Sequence, residues 1–542
     1  MRKLDGLALV LVLLFLVSGV LTQGNFGLSW DEGLGNLFFG ERYLRYFGSF
    51  EEKYLDFKAE LYFHSETPLN LYPSPFRDYP NEFPALSDTL SAAAMYLFSY
   101  GLKLLDPVDG WHLFTILLAA LFLWLFYRFA ARRMGRWCAF VGLVLLASFP
   151  RFWGDMHFNP KDIPETVFFG LTILAYLAWY EKPTWRKAVG VGLLFACALG
   201  TKANALFIPI VLVLGVWPWG FNLRSLGKMF WHPLRHWHHY LVMALISAAL
   251  YFISWPYLHT NPTRVVEYFR HILSQGERTG NAGWDFEPLL QTLATMPEVM
   301  LLLLLVGLFF VARQALRVKS TWWRLLLAWL FIPLLRASLP GVVNFDGIRH
   351  FMEYVPAAAL IAGYGAAEGV KQLAGRRKRV LKWILNVSVL LLIGLNILQI
   401  TRTFHPFQHL YYNRIVGGLS GAAKIFGENE ATDYWGVSYR QGIDWMNGKA
   451  VSGAVLYVPV AEWLVQLPAE LWLRPDVALA GHDFADSLRE SQQPVYVMMI
   501  TRPGFYDEIA VHCVENLEPE HQIVVDQRAV LQIYLLDNYY NP

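Results

Sequence analysis

The chain has 542 residues, of which 55% are apolar and 16% are charged, and its mean hydropathy is +0.33. A soluble domain carries about 25% charged residues. The composition therefore excludes an ordinary soluble protein, and the apolar runs that recur over residues 1–400 predict a multi-span membrane protein. The net charge of +2 and the three cysteines indicate neither a nucleic-acid partner nor a disulfide framework.

The first apolar run, Leu7–Leu21, follows Arg2 and Lys3. It lacks a small-residue cleavage site, so we interpret it as a retained first span rather than a signal peptide. The positive-inside rule then places the N-terminus in the cytoplasm. Residues 24 to about 110 form an outer loop broken by prolines. Within it, Ala85–Leu105 is predicted to be a helix that lies along the membrane or dips into it, because crossing would place all later basic clusters outside.

Further apolar runs are predicted to cross the membrane, which makes about eleven spans and leaves the C-terminus outside. The short basic segments between them, such as the arginines of residues 128–136, then fall inside. The predicted spans after the first are Leu113–Phe129, Cys138–Phe149, Ile163–Trp179, Ala188–Leu199, Ala203–Trp217, Tyr240–Ile253, Val299–Val311, Leu325–Leu335, Phe351–Ala367 and Val380–Ile400.

The chain from residue 401 onward has no span, is more polar and contains short β-rich runs. We therefore predict a helical polytopic membrane domain over residues 1–400 and an extracytoplasmic α/β domain over residues 401–542, a normal size for a domain. A helix is expected at Tyr439–Asn447. The expected strands are Ala454–Val460, Pro494–Ile500, His521–Val525 and Ala529–Leu536.

Two adjacent carboxylates, Asp31 and Glu32, stand where the first span ends. With Ser29 as the first residue, the pattern fits a capping box in which Glu32 reaches back to the start of a helix. That interpretation gives Glu32 a structural duty and leaves Asp31 without one. A carboxylate at the outer membrane surface is a suitable general base.

A polar hairpin between two predicted spans carries Asp155, His157, Lys161 and Asp162. The structural interpretation is a solvated loop in which Asp162 caps the following helix ahead of Pro164. Asp155 and His157 suggest a metal pair, but two ligands without a third do not define a site. The sequence therefore predicts no resident cofactor and leaves a divalent metal open.

Two basic groups lie at other span ends. Lys202 interrupts two apolar runs, where a lysine either reaches to the surface or binds an anion. Arg349 and His350 precede a span, where they either anchor the helix or let Arg349 hold a phosphate near the headgroups. The histidine-rich segment Trp231–His239 falls on the cytoplasmic side and is interpreted as an interfacial helix rather than a set of ligands.

Together these positions resemble the GT-C membrane glycosyltransferases of the protein O-mannosyltransferase and aminoarabinose lipid A transferase type. The resemblance covers most of residues 1–400. The chain departs from the family pattern at Phe83, where a lysine is frequent, and at His112, where an arginine is frequent. The segments that carry the resemblance are Asp31-Glu32, Asn81-Glu82-Phe83-Pro84, Pro160-Lys161-Asp162, Leu199-Gly-Thr-Lys202 and Arg349.

The resemblance implies a GT-C fold and an inverting transfer of a sugar from a polyprenyl-phosphate carrier to an acceptor hydroxyl. Asp31 would be the general base, with Glu32 or Asp162 orienting the acceptor. The acceptor would be a protein, a lipid or a polysaccharide, and the enzyme would lie in the inner or plasma membrane of a prokaryote. The residues expected to bind substrate are Glu82, Asp155, His157, Lys161, Lys202, Arg349 and His350.

A transporter or lipid flippase is the competing class, because many spans with polar groups also fit a carrier. Carriers place their polar residues and broken helices near the midplane, within repeats. Here the candidate residues gather on one face, and no repeat is visible. A membrane scaffold whose outer domain binds a partner is a third interpretation, but it leaves Lys202 and the paired carboxylates unexplained.

Overall fold

The helical part of the chain comes first and a small sheet follows near the C-terminus. The computed structural model describes residues 2–57, 83–217, 227, 231–279, 283–317, 320–375, 378–481 and 493–536. Its helices up to the last long one are α1 Arg2–Thr22, α2 Leu37–Ser49, α3 Leu86–Met95, α4 Pro107–Met134, α5 Arg136–Ala147, α6 Pro150–Asp155, α7 Asp162–Glu181, α8 Trp185–Leu199, α9 Ile208–Val216, α10 Trp237–Ser254, α11 Tyr257–Thr260, α12 Arg264–Thr279, α13 Glu287–Thr295, α14 Glu298–Arg317, α15 Thr321–Ala337, α16 Val355–Ala374 and α17 Arg379–Phe404.

Each predicted span has a helix in the structure. Within the described ranges, six helices are long and apolar enough to cross a membrane: α1 extended to Asn25, α4, α7, α10, α14 and α17. Of the other predicted spans, α5, α8, α9 and α15 have 9 to 17 residues, fewer than the roughly 20 that a span needs, whereas α16 has 20. The polytopic helical architecture is confirmed. The number of spans stays a prediction.

The outer loop differs from its predicted form. Helix α3 ends at Met95, and a wider π-helical turn, Tyr96–Gly101, replaces the rest of the expected helix. Glu82 and the prolines before Pro84 lie outside the described residues. Helix α3 packs between α2 and α4, which holds the loop over the end of the bundle.

The C-terminal part contains α18 Gly418–Phe426, α19 Tyr439–Lys449, α20 Trp463–Trp472 and α21 Glu508–Asn516, with strands β1 Val455–Tyr457, β2 Ala478–Leu479, β3 Val495–Ile500, β4 His521–Val525 and β5 Arg528–Leu536. The five strands form one sheet in the order β2-β1-β3-β5-β4. Strand β1 is parallel to β2 and β3, and β5 is antiparallel to β3 and β4. All residues of β3 are buried, as expected for a central strand.

The predicted α/β region is confirmed in kind, and its four expected strands are present. Strand β2 was not predicted, because two residues carry no readable periodicity. The boundary at residue 400 stays a prediction. Helix α17 continues to Phe404.

The C-terminal region from residue 405 onward, named the outer region for its predicted side of the membrane, contacts the segment after α1 directly. The backbone N–H of Gly27 donates to the carbonyl of Val437 at 2.9 Å, and that of Trp30 donates to the carbonyl of Trp435 at 2.8 Å. Arg440 of α19 pairs with Asp109 at 2.6 Å. These bonds hold the segment that carries Asp31 between the helical bundle and the outer region.

Candidate functional site

Four segments that are far apart in sequence meet at one end of the helical bundle. They are the turn after α1, the hairpin before α7, the turn after α8 and the segment before α16. Their charged side chains form pairs across these segments, so the structure brings together most of the residues that the sequence singled out.

Asp31 is paired with Arg349. The guanidinium Nη1 of Arg349 lies 2.6 Å from Oδ2 of Asp31, and Nη2 lies 2.8 Å from Oδ2 of Asp346. The side chain of Asp31 is 34% exposed, whereas that of Arg349 is 7% exposed. Asp31 is therefore fixed by Arg349 while about a third of its side chain remains exposed.

Asp162 and Lys202 form a second pair. The Lys202 Nζ lies 2.5 Å from Oδ1 of Asp162, and the side chains are 18% and 2% exposed. The other oxygen of Asp162 accepts from Asn159 Nδ2 at 2.9 Å. The two pairs adjoin, because Asp162 and Arg349 lie close enough to attract each other.

The capping role expected of Asp162 is wrong. Its carboxylate is committed to Lys202 and Asn159. The side chain that accepts backbone N–H groups at this helix start is Asn159, whose Oδ1 accepts from the backbone N of Asp162 at 2.8 Å and from that of Lys161 at 3.2 Å. The backbone N–H groups at this helix start are thus met by Asn159, and the carboxylate of Asp162 takes part in the ion pair with Lys202.

Glu32 is enclosed by hydrogen bonds. Its Oε2 accepts from the backbone N of Ser29 at 2.7 Å, which is the capping-box contact, and its Oε1 accepts from Trp111 Nε1 at 2.9 Å. The ring Nε2 of His112 lies 3.2 Å from Oε2. Both oxygens of Glu32 have partners and the residue is 1% exposed. The structural interpretation of Glu32 therefore accounts for its surroundings, and its role in orienting an acceptor stays a prediction.

Both ring nitrogens of His157 have hydrogen-bond partners other than Asp155. His157 is fully buried, with Nε2 at 3.1 Å from the Thr22 hydroxyl and Nδ1 at 3.0 Å from the Trp153 carbonyl. Burial raises the pKa of the Asp155 carboxyl to about 8, although the nearby Arg151 opposes this rise. The contact with substrate that was expected of both residues stays a prediction.

Lys161 and His350 also have structural contacts. Lys161 Nζ lies 2.6 Å from Oδ2 of Asp88 and joins the hairpin to α3. The His350 ring packs against Phe345, and its backbone carbonyl accepts from Asn204 Nδ2 at 2.8 Å and from Arg336. Glu82 lies outside the described residues, so its contribution stays a prediction.

Several residues of the site were missed at the sequence level. Arg336 and Glu353 form an ion pair at 3.9 Å, and Asp346 bridges Arg349 and Arg502. The signal for Arg336 was present, since a charge inside an apolar helix is expensive and usually functional. Asp346 and Arg502 carried no such signal, because polar loops are rich in charges.

A histidine group lies at the opposite end of the bundle. His236, His238 and His239 offer nitrogen atoms that all lie within 4.8 Å of one another. They pack beside Trp179 and Trp185. Trp179 Nε1 donates to His239 Nδ1 at 3.2 Å, which occupies a lone pair that a metal would need. These contacts fit the interfacial packing predicted for this segment, which stays a prediction.

Known proteins similar to this chain point to one enzyme class. Residues 92–255 match the family model described as dolichyl-phosphate-mannose-protein mannosyltransferase. The comparison with curated proteins found no match to the chain. The matched segment includes α4, the hairpin with Asp162, and Lys202.

Three solved structures are similar to this chain to different degrees. ArnT from Cupriavidus metallidurans, in a crystal structure bound to undecaprenyl phosphate, is 15% identical, covers 97% of this chain and 98% of its own, and has a TM-score of 0.50. The Archaeoglobus fulgidus oligosaccharyltransferase, tethered with an acceptor peptide, is 14% identical over 92% of this chain and 69% of its own, with a TM-score of 0.47. The arabinofuranosyltransferase AftD from Mycobacteria is 15% identical over 99% of this chain and 40% of its own, with a TM-score of 0.41.

The likeness to ArnT extends over nearly the whole of both chains and confirms the fold predicted from the sequence. The family match over residues 92–255 agrees with the predicted enzyme class. The chain is an integral membrane glycosyltransferase, and its fold is that of ArnT.

Proposed function

We propose that the protein transfers a sugar from a polyprenyl-phosphate carrier to an acceptor hydroxyl at the extracytoplasmic face, with inversion at the anomeric carbon and Asp31 as the general base. The observation that carries the proposal is the state of Asp31. Of the carboxylates paired at the site, Asp31 is the open one, at 34% exposure, while Asp162 is 2% exposed. A general base must come within hydrogen-bond reach of the proton that it takes.

In the proposed transfer, Asp31 acts on the acceptor and the positively charged side chains act on the leaving phosphate. Asp31 takes the proton of the acceptor hydroxyl as its oxygen attacks the anomeric carbon. The bond between that carbon and the phosphate oxygen breaks, and its electron pair leaves with the phosphate. The leaving phosphate is a weak base, so it needs no proton, and positioned cations stabilise its charge.

Lys202 is the better candidate for the cation that meets the phosphate. Arg349 already lies against two carboxylates, Asp31 and Asp346, and is 7% exposed. Lys202 has one carboxylate partner and is 18% exposed. A lysine is a compact cation with three donors, so Lys202 can keep its bond to Asp162 and still donate to a phosphate oxygen. The choice of a polyprenyl phosphate follows the ArnT structure, which holds undecaprenyl phosphate.

Asp31→Asn is expected to abolish transfer while the protein still inserts and folds, because the amide keeps the shape of the side chain but cannot take a proton. Cells that carry the variant should accumulate a lipid-linked sugar and lose the corresponding glycan. Mass spectrometry of lipid extracts and of cell-surface glycans measures both.

Ser49→Ala is a suitable control, since Ser49 lies at the end of α2, where its hydroxyl donates to the backbone carbonyl of Arg45. It should leave both profiles as in the wild type. Retained glycan formation in the Asp31→Asn cells would remove Asp31 from the role of base.

Lys202→Gln is expected to weaken the binding of undecaprenyl phosphate by about 10-fold or more, because a charge-assisted bond to a phosphate is worth about 1.5–3 kcal/mol. Native mass spectrometry of the purified protein in nanodiscs with added undecaprenyl phosphate measures the bound fraction. Lys371→Gln, on a lysine near the other end of α16 that is paired with Glu368, should bind as the wild type does. Equal binding by the Lys202 variant would place the phosphate elsewhere.

A further inference from the structure

A line of alternating charges, Arg502, Asp346, Arg349 and Asp31, connects the outer region to the proposed base. Nη2 of Arg502 lies 3.2 Å from Oδ1 of Asp346. The other oxygen of Asp346 lies 2.8 Å from Arg349, and Arg349 lies 2.6 Å from Asp31. Arg502 follows strand β3, more than 450 residues after Asp31 in the sequence. The line therefore joins the C-terminal sheet to the carboxylate proposed as the base.

We propose that Arg502 is a positioning residue, which fixes Asp31 through Asp346 and Arg349, so that a residue of the outer region contributes to catalysis. This inference rests on the proposed function, because it takes Asp31 to be the base. It adds a contribution from a region that the mechanism above does not use.

The charged side chains of this line are largely shielded from water, which strengthens the ion pairs between them. Asp346 is 8% exposed at its side chain and Arg502 is 11% exposed. The guanidinium of Arg349 lies 4.9 Å from the Phe345 ring centre and 4.7 Å from that of Trp435. Shielding from water strengthens charge pairs and makes an unpaired one costly.

Arg502 also touches the residue before the base. Its guanidinium lies 4.7 Å from the ring centre of Trp30 and 4.7 Å from that of Phe505. The Trp30 ring in turn meets Trp463 edge-on at 5.4 Å. Arg502 thus acts on Asp31 in two ways. It packs against Trp30, the preceding residue, and it pairs with Asp346, which in turn pairs with Arg349, the counterion of Asp31.

The charge of Arg502 determines how strongly Arg349 is attracted to Asp346 and how strongly to Asp31. Asp346 lies between two guanidinium groups and divides its attraction between them. Without Arg502, Asp346 pairs with Arg349 alone and draws it away from Asp31. A displacement of about 1 Å at a catalytic group costs up to about 100-fold in rate. The loss should appear in kcat rather than in KM for the donor, because Arg502 contacts Asp346, Trp30 and Phe505, whereas Lys202, the residue proposed to bind the donor phosphate, pairs with Asp162.

Two substitutions separate charge from packing. Arg502→Met keeps an unbranched stem against Trp30 and removes the charge, while Arg502→Lys keeps the charge. Turnover is measured with purified proteins and the lipid-linked sugar extracted from Asp31→Asn cells. We expect kcat to fall about 10- to 100-fold in Arg502→Met with donor KM within about 3-fold of the wild type, and to recover largely in Arg502→Lys.

Asp346→Asn completes a double-mutant cycle. If both residues act through one line, the double variant Arg502→Met/Asp346→Asn should be no slower than the slower single variant. Arg528→Met is the matched control, since Arg528 is also an arginine of the outer region paired with a glutamate, Glu428. Its kcat should equal that of the wild type.

The outcomes distinguish this inference from the function on which it rests. An inactive Asp31→Asn together with a normal kcat in Arg502→Met, or with independent effects of the two substitutions in the cycle, would overturn the positioning role and leave the function intact. An active Asp31→Asn would overturn the assignment of the base itself. A lower melting temperature in Arg502→Met with unchanged kcat would mean that Arg502 only stabilises the fold.

Discussion

His157 joins the first helix to the hairpin before α7, and it does so as a neutral ring. Its nitrogens meet the Thr22 hydroxyl and the Trp153 carbonyl, and burial lowers its pKa to about 3. An unfolded histidine has a pKa of about 6.5. Below pH 6.5 the unfolded chain therefore takes up a proton that the folded chain refuses. The stability that His157 contributes is fully present above pH 6.5 and is lost as the pH falls toward 3.

Acidification from pH 6.5 to 5 should lower the free energy of unfolding by about 2 kcal/mol through this residue, since each pH unit in the window is worth about 1.36 kcal/mol. His157→Asn should flatten the pH dependence of the melting temperature over that interval. Tryptophan fluorescence of the protein in nanodiscs follows the melting. His271→Asn, at an exposed histidine of α12, should keep the wild-type slope. The same slope in the His157 variant would contradict the neutral ring.

The sequence was sufficient to identify several residues of the candidate site, but not which of them pair with each other. Asp31, Lys202 and Arg349 stood out because charges at span ends are costly. That Lys202 pairs with Asp162 and Arg349 with Asp31 depends on how helices pack, and these partners are separated by 40 and 318 positions. Local patterns reach only a few residues along the chain, so the capping contact of Glu32 was readable and the pairs were not.

At the scale of elements, the apolar runs predicted where helices occur but not where they end. The predicted span Phe351–Ala367 begins as a 3-10 turn, Arg349–Tyr354, and the α-helix starts only at Val355. Pro356 explains the start, because proline favours the first turn of a helix. The turn matters for the site, since it directs Arg349 toward Asp31 rather than along α16.

The contact between α14 and α16 depends on glycine. A methyl group at Gly365 would overlap the backbone carbonyl of Leu303 and would lie 2.6 Å from the backbone nitrogen of Gly307. The two helices therefore approach closely enough for backbone atoms to touch. Small residues permit this approach in membrane helices.

Gly365→Ala should lower the free energy of unfolding by about 1–3 kcal/mol, because overpacked sites force backbone shifts. Gly394→Ala is the matched control. It lies inside helix α17 with no other atom within 4 Å of the added methyl, so it should be neutral or stabilise by up to about 1 kcal/mol. The melting temperatures of both variants are measured in nanodiscs. Equal melting temperatures would mean that the two helices can separate without a cost in stability.

At the scale of the whole molecule, the two ends of α1 lie in different chemical surroundings. Near its start, Asp5 pairs with Arg136 at 3.0 Å, beside the arginines of residues 128–136. At its other end, Thr22 meets His157 and the acidic turn follows. The basic clusters and the site thus lie at opposite ends of the bundle. This separation is what the positive-inside rule requires if the site faces outward.

The orientation predicts which surface positions a membrane-impermeant thiol reagent reaches. Lys424 of α18 and Arg132 of α4 are both exposed, and they lie on the site side and the basic side respectively. In right-side-out membrane vesicles, Lys424→Cys should react with an impermeant maleimide at once, whereas Arg132→Cys should react only after the membrane is opened. The native cysteines are buried or partly buried, and the unsubstituted protein measures their background. Labelling of Arg132→Cys in sealed vesicles, with Lys424→Cys protected, would mean that the orientation in the membrane is the reverse of the predicted one. The site would then face the cytoplasm, and the donor would have to be a cytoplasmic one.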